Sequence, residues 1–206
     1  MKNASKSSEV IQDRSLWERQ YQAGRWDYLA GGEEFVRYAV ISSILRRLPG
    51  PISLLDVGCG EGLLLTHVGC EVVARYTGLD IAQAALDKIQ PKRAGDRYVC
   101  SSVEGFEPDE NWSAIVFNEV LYYIGDPISQ IQKFEKALKP GGIMIVSIFK
   151  KPRFWAYNNR CARRIKNYFA DANYEIVEAV EISKIYRKLK WQIYVVKPPG
   201  SGGAEK

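Results

Sequence analysis

The stretch Asp56-Val57-Gly58-Cys59-Gly60-Glu61-Gly62 constrains this chain more than any other. Glycine at every second position lets a backbone turn sharply and approach a ligand that a Cβ would hold off. The loop follows Ile52 to Val57, an apolar run that reads as a buried strand, and precedes Leu63 to Val68, which reads as a helix. A helix start offers free N–H groups and the positive end of its dipole. Strand, glycine turn and helix together point to a nucleotide-type site, although structural turns also collect glycine.

The rest of the chain repeats this alternation. Glu33 to Leu48 carries Phe35, Val36, Ala39, Val40, Ile44, Leu45 and Leu48 at helical spacing and stops at Pro49-Gly50-Pro51. Ala74 to Leu79 reads as a second strand, Ile81 to Ile89 as a helix closed by Pro91, and Arg97 to Cys100 as a third strand. Ala114 to Phe117 is a further strand. Asp126-Pro127 is an N-cap followed by proline at the first helical position, with Ile128, Ile131, Phe134 and Leu138 on one face. Lys139-Pro140-Gly141-Gly142 ends that helix, Ile143 to Phe149 is a long strand, and Phe154 to Phe169 is another helix. Glu175 to Glu181 and Trp191 to Val196 are strands with no helix between them, which suggests an antiparallel hairpin at the sheet edge. Strands separated by helices imply crossovers and a mostly parallel sheet. The expected fold is α/β: a Rossmann-like, doubly wound, mostly parallel sheet with helices on both faces and a terminal antiparallel hairpin. Such sheets bind ligands in the loops at the carboxyl ends of their strands.

Asp80 ends the second strand, about 20 residues past the glycine loop, where a carboxylate can accept hydrogen bonds from both hydroxyls of a ribose. The same residue could instead cap the following helix. A dinucleotide site is disfavoured, because its fingerprint is G-x-G-x-x-G and Leu63 stands three after Gly60. Acids flank the loop at Asp56 and Glu61, and no basic residue lies within it. That suits a ligand carrying an ammonium and a sulfonium better than one carrying two phosphates.

With these features in place, Leu54 to Gly62 resembles motif I of the class I S-adenosylmethionine-dependent methyltransferases, in the form of the small single-domain bacterial type. Gly78-Leu79-Asp80 is similar to their ribose-binding strand end. Asn118 to Ile124 resembles their loop after the fourth strand, and Leu138 to Ile143 the turn into their fifth. The resemblance covers roughly residues 50 to 150 and implies S-adenosyl-L-methionine as cofactor. It places the backbone of Gly58, Cys59 and Gly60 on the methionine part, with Asp56 orienting its amino group. It places Asp80 on the ribose, Ile81 against the adenine, and Ser102, Val103 and Glu104 beside the adenine amine. Many family members carry aspartate where Ser102 falls, which leaves adenine recognition here to a hydroxyl or to backbone. Asn118 and Glu119 are implied near the transferring methyl. Bacterial enzymes that methylate amino sugars or natural products share this layout, so the expected acceptor is a small molecule methylated at N or O.

Methyl transfer is an in-line displacement that needs no metal and needs a base only if the nucleophile arrives protonated. Glu119, Tyr122 and Tyr21 are the candidate catalytic residues, the tyrosines because aromatic rings favour a sulfonium. His67, on the first helix of the sheet, is a poor candidate. The aromatic-rich segment Trp17 to Leu29 is either a lid over the cofactor or a helix packed on the sheet. Residues 119–123 could equally be an ordinary short helix with aromatic packing.

Hydrophobic residues make up 46% and charged residues 26% of the 206 residues, the balance of an ordinary globular domain. Expected are a mobile N-terminus over 1–13, one domain over 14–197 whose residues 14–48 form the N-terminal lid or helices, and a flexible tail over 198–206. No run approaches the roughly 20 apolar residues of a membrane span, and the N-terminus lacks a signal-peptide core, so a cytoplasmic address is expected. Four cysteines without a CxxC pair and a single histidine leave no evident metal site. The net charge of +5 is concentrated late, at Lys150, Lys151, Arg153, Arg160, Arg163, Arg164 and Lys166, then Lys184, Arg187, Lys188 and Lys190. That bias fits an acidic substrate, a phosphate-bearing carrier, an anionic membrane surface, nucleic acid, or simply a solvated helix face. An RNA or protein acceptor, or a non-catalytic cofactor-binding subunit, are the alternatives. Against nucleic acid, no stacking platform of regularly spaced aromatic and basic residues is evident.

Overall fold

The computed structural model describes residues 13–90, 93–150, 156–185 and 189–200. Most of both expected mobile termini lies outside them, as do Pro91, the first residues of the helix expected from Phe154, and Lys151, Arg153, Arg187 and Lys188 of the basic group. The chain divides into two compact units, Met1–Glu107 and Pro108–Lys206.

The first unit opens with helix α1 (Arg14–Gln22), capped by the Asp13 carboxylate on the Ser15 N–H. A 3-10 turn (Asp27–Ala30) leads into α2 (Gly32–Arg46). Then follow β1 (Ile52–Val57), α3 (Leu63–Val68), β2 (Val73–Asp80), α4 (Gln83–Asp87) and β3 (Arg97–Cys100). β2 lies between β1 and β3 and is parallel to both. All six residues of β1 are buried, as a strand covered on both faces requires. On α2 the apolar stripe is turned from the one the spacing suggests. Phe35 and Val36 are exposed at 53% and 46%, while Arg37 is buried at 3% beside Tyr38, Ile41, Ile44 and Leu45. Arg37 can face inward because Glu34 accepts its Nη2–H at 3.1 Å and its guanidinium stacks on the Tyr38 ring at 4.5 Å.

The second unit runs β4 (Trp112–Asn118), a 3-10 turn (Leu121–Tyr123), α5 (Pro127–Glu135), β5 (Leu138–Lys150), α6 (Ala156–Asp171), β6 (Glu175–Lys184) and β7 (Leu189–Lys197). β4 and β5 are parallel, and β7 pairs antiparallel with β5 on one side and β6 on the other. Parallel strands joined through helices and closed by an antiparallel hairpin make the Rossmann-like α/β architecture that the alternation implied.

Two local expectations are corrected here. Leu138 is not on the α5 face. The helix stops at Glu135, Ala137 O accepts the Trp112 N–H at 2.8 Å, and Leu138 already pairs with Trp112 in the sheet. Lys139 to Gly142 form an irregularity inside β5, where the register shifts between Trp112 and Ala114. Asp126 does hold the N-cap position with Pro127 behind it, but its carboxylate makes no capping bond and instead pairs with Arg164 at 2.9 Å.

Candidate active site

In the first unit the glycine loop is tied to the end of β2. Leu79 O accepts the Gly58 N–H at 2.7 Å and the Cys59 N–H at 3.0 Å. Gly58, Gly60 and Gly62 all have positive φ. A Cβ on Gly60 would stand 2.9 Å from the Tyr21 hydroxyl, and one on Gly78 would stand 2.9 Å from Cys59 Sγ and closer still to the Tyr76 ring. Gly60 in the loop and Gly78 in β2 are therefore places where a side chain would force its neighbours to move.

Asp80 is almost fully buried, at 7% exposure, and each carboxylate oxygen holds the backbone. Oδ2 accepts the Gly60 N–H at 2.8 Å and Oδ1 the Ala82 N–H at 2.9 Å. Burial raises its pKa, against the lowering effect of the Ala82, Gly60 and Ile81 N–H groups. Asp80 is not the cap of α4. That task falls to Glu18 of α1, whose two oxygens accept the Gln83 N–H at 2.8 Å and the Ala84 N–H at 2.9 Å. Ile81 is half-buried beside Asp80.

Asp56 is buried at 1% and accepts the Tyr76 hydroxyl at 3.0 Å. Burial pushes its carboxyl up to about 7, with the Tyr76 bond and the Arg37 charge opposing and the Asp80 charge reinforcing the shift. Arg37 is thus electrostatically coupled to the acid that opens the glycine loop. Composition could not have singled it out. The available signal was an arginine inside an otherwise apolar stripe, three residues after Glu34.

The N-terminal segment packs on this machinery. Tyr21 joins Ala82 and Ala85 in one apolar cluster with Trp17 and Trp26 against it, the two indoles stacked at 5.4 Å. Lys88 bridges Asp27 at 3.0 Å and Glu61 at 2.8 Å, fastening the 3-10 turn to the glycine loop. Burial, with Asp80 next in effect, pushes the Tyr21 phenol far above its ordinary value, so it stays protonated. After β3, Ser102 Oγ accepts the Gly105 N–H at 3.0 Å and closes its own turn; Val103 is buried and Glu104 half-buried. His67 lies between Tyr38 and Phe35, ring against ring, and burial lowers its pKa.

In the second unit Asn118 ends β4, paired with Ser147 of β5. Glu119, directly after it, has φ 64, one of two described non-glycine residues in the left-handed region. Its Oε1 accepts the Ser147 hydroxyl at 2.5 Å, its Oε2 accepts the Tyr122 hydroxyl at 3.0 Å, and its N–H donates to Ser147 O at 3.2 Å. Tyr122 is buried and packs against Tyr123 at 4.5 Å. Ser147, fully buried, escaped sequence reasoning because it lies 28 residues away inside an apolar strand.

A methyltransferase-domain family model matches residues 33–179, and the chain belongs to that family, the S-adenosylmethionine-dependent methyltransferases. The ubiquinone biosynthesis O-methyltransferase of Bradyrhizobium sp. is 32% identical over 104 residues, 48% of this chain and 41% of that relative. The enzyme of the same name from Nitrosospira multiformis is 28% identical over 68% of this chain and 61% of its own length. The chain thus spans less than two thirds of these relatives. Among solved structures, the N-methyltransferase NodS from Bradyrhizobium japonicum, in complex with S-adenosyl-L-homocysteine, has a TM-score of 0.73 at 19% identity, covering 94% of this chain and 98% of that one. A Burkholderia thailandensis 1,6-didemethyltoxoflavin-N1-methyltransferase, solved with its acceptor and S-adenosylhomocysteine, gives 0.69 at 17% identity over 92% and 88%. These two likenesses show the fold.

Proposed function

We propose that this chain transfers a methyl group from S-adenosylmethionine to a small-molecule acceptor, at oxygen or nitrogen. The observation that carries the reading is Asp80: a buried carboxylate locked by the Gly60 and Ala82 N–H groups at the end of β2, beside a glycine loop where Tyr21 leaves no room for a Cβ at Gly60. A carboxylate offers about four lone-pair sites, so these backbone donors leave acceptor capacity for a ribose hydroxyl.

The residues present fit that cofactor. Asp80 would hold the ribose, Ile81 the adenine face, and Ser102, Val103 and Glu104 the adenine edge. The backbone of Gly58, Cys59 and Gly60 would carry the methionine part. Arg37, the one buried cation among the described residues, suits the methionine carboxylate, and Asp56 its ammonium. When bound, the cofactor supplies an electrophilic methyl group on a sulfonium. The chain's own task is to hold the acceptor in line with that methyl and dry, an effect worth several kcal/mol. Tyr21, kept protonated by burial, covers Gly60 as a neutral hydroxyl rather than as a base. Glu119 would receive the proton when the acceptor is a hydroxyl or an ammonium, with Asn118 and Tyr122 beside it.

A small acceptor is supported by the names of the relatives, and an oxygen nucleophile by those relatives that are O-methyltransferases. The test is incubation with methyl-labelled cofactor and three acceptor pools: phenols with adjacent hydroxyls, amino sugars, and total RNA with protein. Label in a small molecule, with a mass gain of one methylene, is the expected result. Label in RNA or protein alone would overturn the acceptor class.

A further inference from the structure

In the second unit, cations gather where β5 ends and β6 turns into β7. Cross-strand partners share a face of a sheet, so the pairing of Lys150 with Lys190 puts both on one side. Tyr194 faces the same way, four residues along β7, and Phe169 of α6 packs on its ring. The start of α6 lies by Lys150, since Asn158 Nδ2 donates to Phe149 O at 3.4 Å. Arg160 and Arg163 follow on the exposed side of that helix. Lys184 ends β6 on the other face, its Nζ 5.3 Å from the centre of the Trp191 ring. Glu181 accepts from Lys190 at 2.6 Å and offsets one of these charges.

Ile185 comes directly after Lys184 and is 83% exposed, more than any other exposed large apolar residue described. An aliphatic side chain held out in water among lysines gives the fold nothing. It lowers the free energy only when something apolar covers it. Nucleic acid would meet the lysines but offers no apolar bed for isoleucine. Trp191, at 4% exposure, is closed to base stacking. An acidic protein would need a pocket matched to one projecting side chain. A bilayer with anionic headgroups supplies both chemistries in any register, phosphates outside and acyl chains beneath. No described helix is long and apolar enough to cross a membrane, so the contact would be peripheral.

We propose that Lys150, Lys184, Ile185 and Lys190 at the end of the β6–β7 hairpin, with Arg160 and Arg163 of α6, form a docking surface for an anionic lipid bilayer. The surface lies wholly within the second unit and is independent of what the glycine loop binds.

The test is co-sedimentation of the full chain with vesicles of phosphatidylcholine alone and of phosphatidylcholine mixed with phosphatidylglycerol. The mixed vesicles should carry the chain down and the neutral ones should not, and raising the salt should release it as screening shortens. Lys150→Gln and Lys184→Gln should each weaken binding about fivefold, the effect of one basic residue near an anionic surface. Ile185→Ser should weaken it about tenfold. That variant changes a side chain with almost no packing, so it keeps the proposal testable if a lysine variant does not fold. Ile185→Ser should leave binding to homopolymeric RNA, a polyanion without an apolar layer, unchanged. Equal sedimentation with both vesicles, none with the anionic ones, or an Ile185→Ser chain that binds them like wild type would overturn the proposal. RNA bound more tightly than the mixed vesicles would assign the surface to nucleic acid instead.

Discussion

Replacing Asp80 should lower stability and, on the proposed ribose-binding role, cofactor affinity together. Asp80→Ala strips the partner from two backbone N–H groups that lie 2.8 and 2.9 Å from its oxygens. A hydrogen bond to a charged group is worth about 1.5–3 kcal/mol. Part of the loss is returned, because burial disfavours the charge that the mutation removes. A net destabilisation of about 2–4 kcal/mol is expected, which for a chain of this size lowers the melting temperature by roughly 5–12 °C. Asp80→Asn keeps one acceptor but turns an amide toward the other N–H, so its loss should be about half as large. Affinity for S-adenosylhomocysteine should fall at least about tenfold in the alanine variant. Melting curves and titrations on the same two proteins decide the matter. An Asp80→Ala protein that melts within a degree of wild type would refute the bonding argument. Lowered stability with unchanged affinity would make Asp80 a brace for the glycine loop and nothing more.

Asp56 gives a pH signature. Its folded pKa of about 7 lies above the ordinary 3.8, so between those values the folded chain keeps a proton that the unfolded chain releases. Stability must therefore decline as pH rises from about 4 to 7 and level off above. Asp56→Asn should remove that decline, its stability relative to wild type growing from pH 5 to 7.5 in urea titrations; a constant difference would show that Asp56 does not titrate in this window. Glu18→Ala should release the α4 N–H groups of Gln83 and Ala84, costing about 1 kcal/mol as lost caps do. It should also speed proteolysis within residues 14–30; unchanged cleavage would mean that the aromatic cluster alone holds the segment.

The parts of the fold set by local punctuation were legible. β1 and α3 fall within the residues expected, because proline and glycine bracket the apolar runs, and β3 does so as well. The errors came where a distant partner decides. Leu138 continues the helical spacing of α5, yet Trp112 draws it into the sheet. Phe35 and Val36 look like the inner face of α2, but the Glu34 and Tyr38 contacts let Arg37 take that place. At the candidate site, the positions of Asp56 and Asp80 could be marked from their places around the glycine loop, and that of Glu119 only through the family resemblance. Their environments could not: neither the Tyr76 hydroxyl, the Glu18 cap, nor the Ser147 hydroxyl adjoins its partner in sequence. The left-handed turn at Glu119 leaves no trace in composition at all.

Binding of S-adenosylhomocysteine tests the central claim most directly. A glycine loop, Asp80 and Arg37 that together form the cofactor site should give a single site per chain by calorimetry. Ligand at 100 times its dissociation constant should add about 2.7 kcal/mol of stability, seen as a rise in melting temperature. NAD and NADP, whose fingerprint the loop lacks, should produce no shift. No stabilisation at millimolar S-adenosylhomocysteine, or micromolar binding of either dinucleotide, would contradict the account.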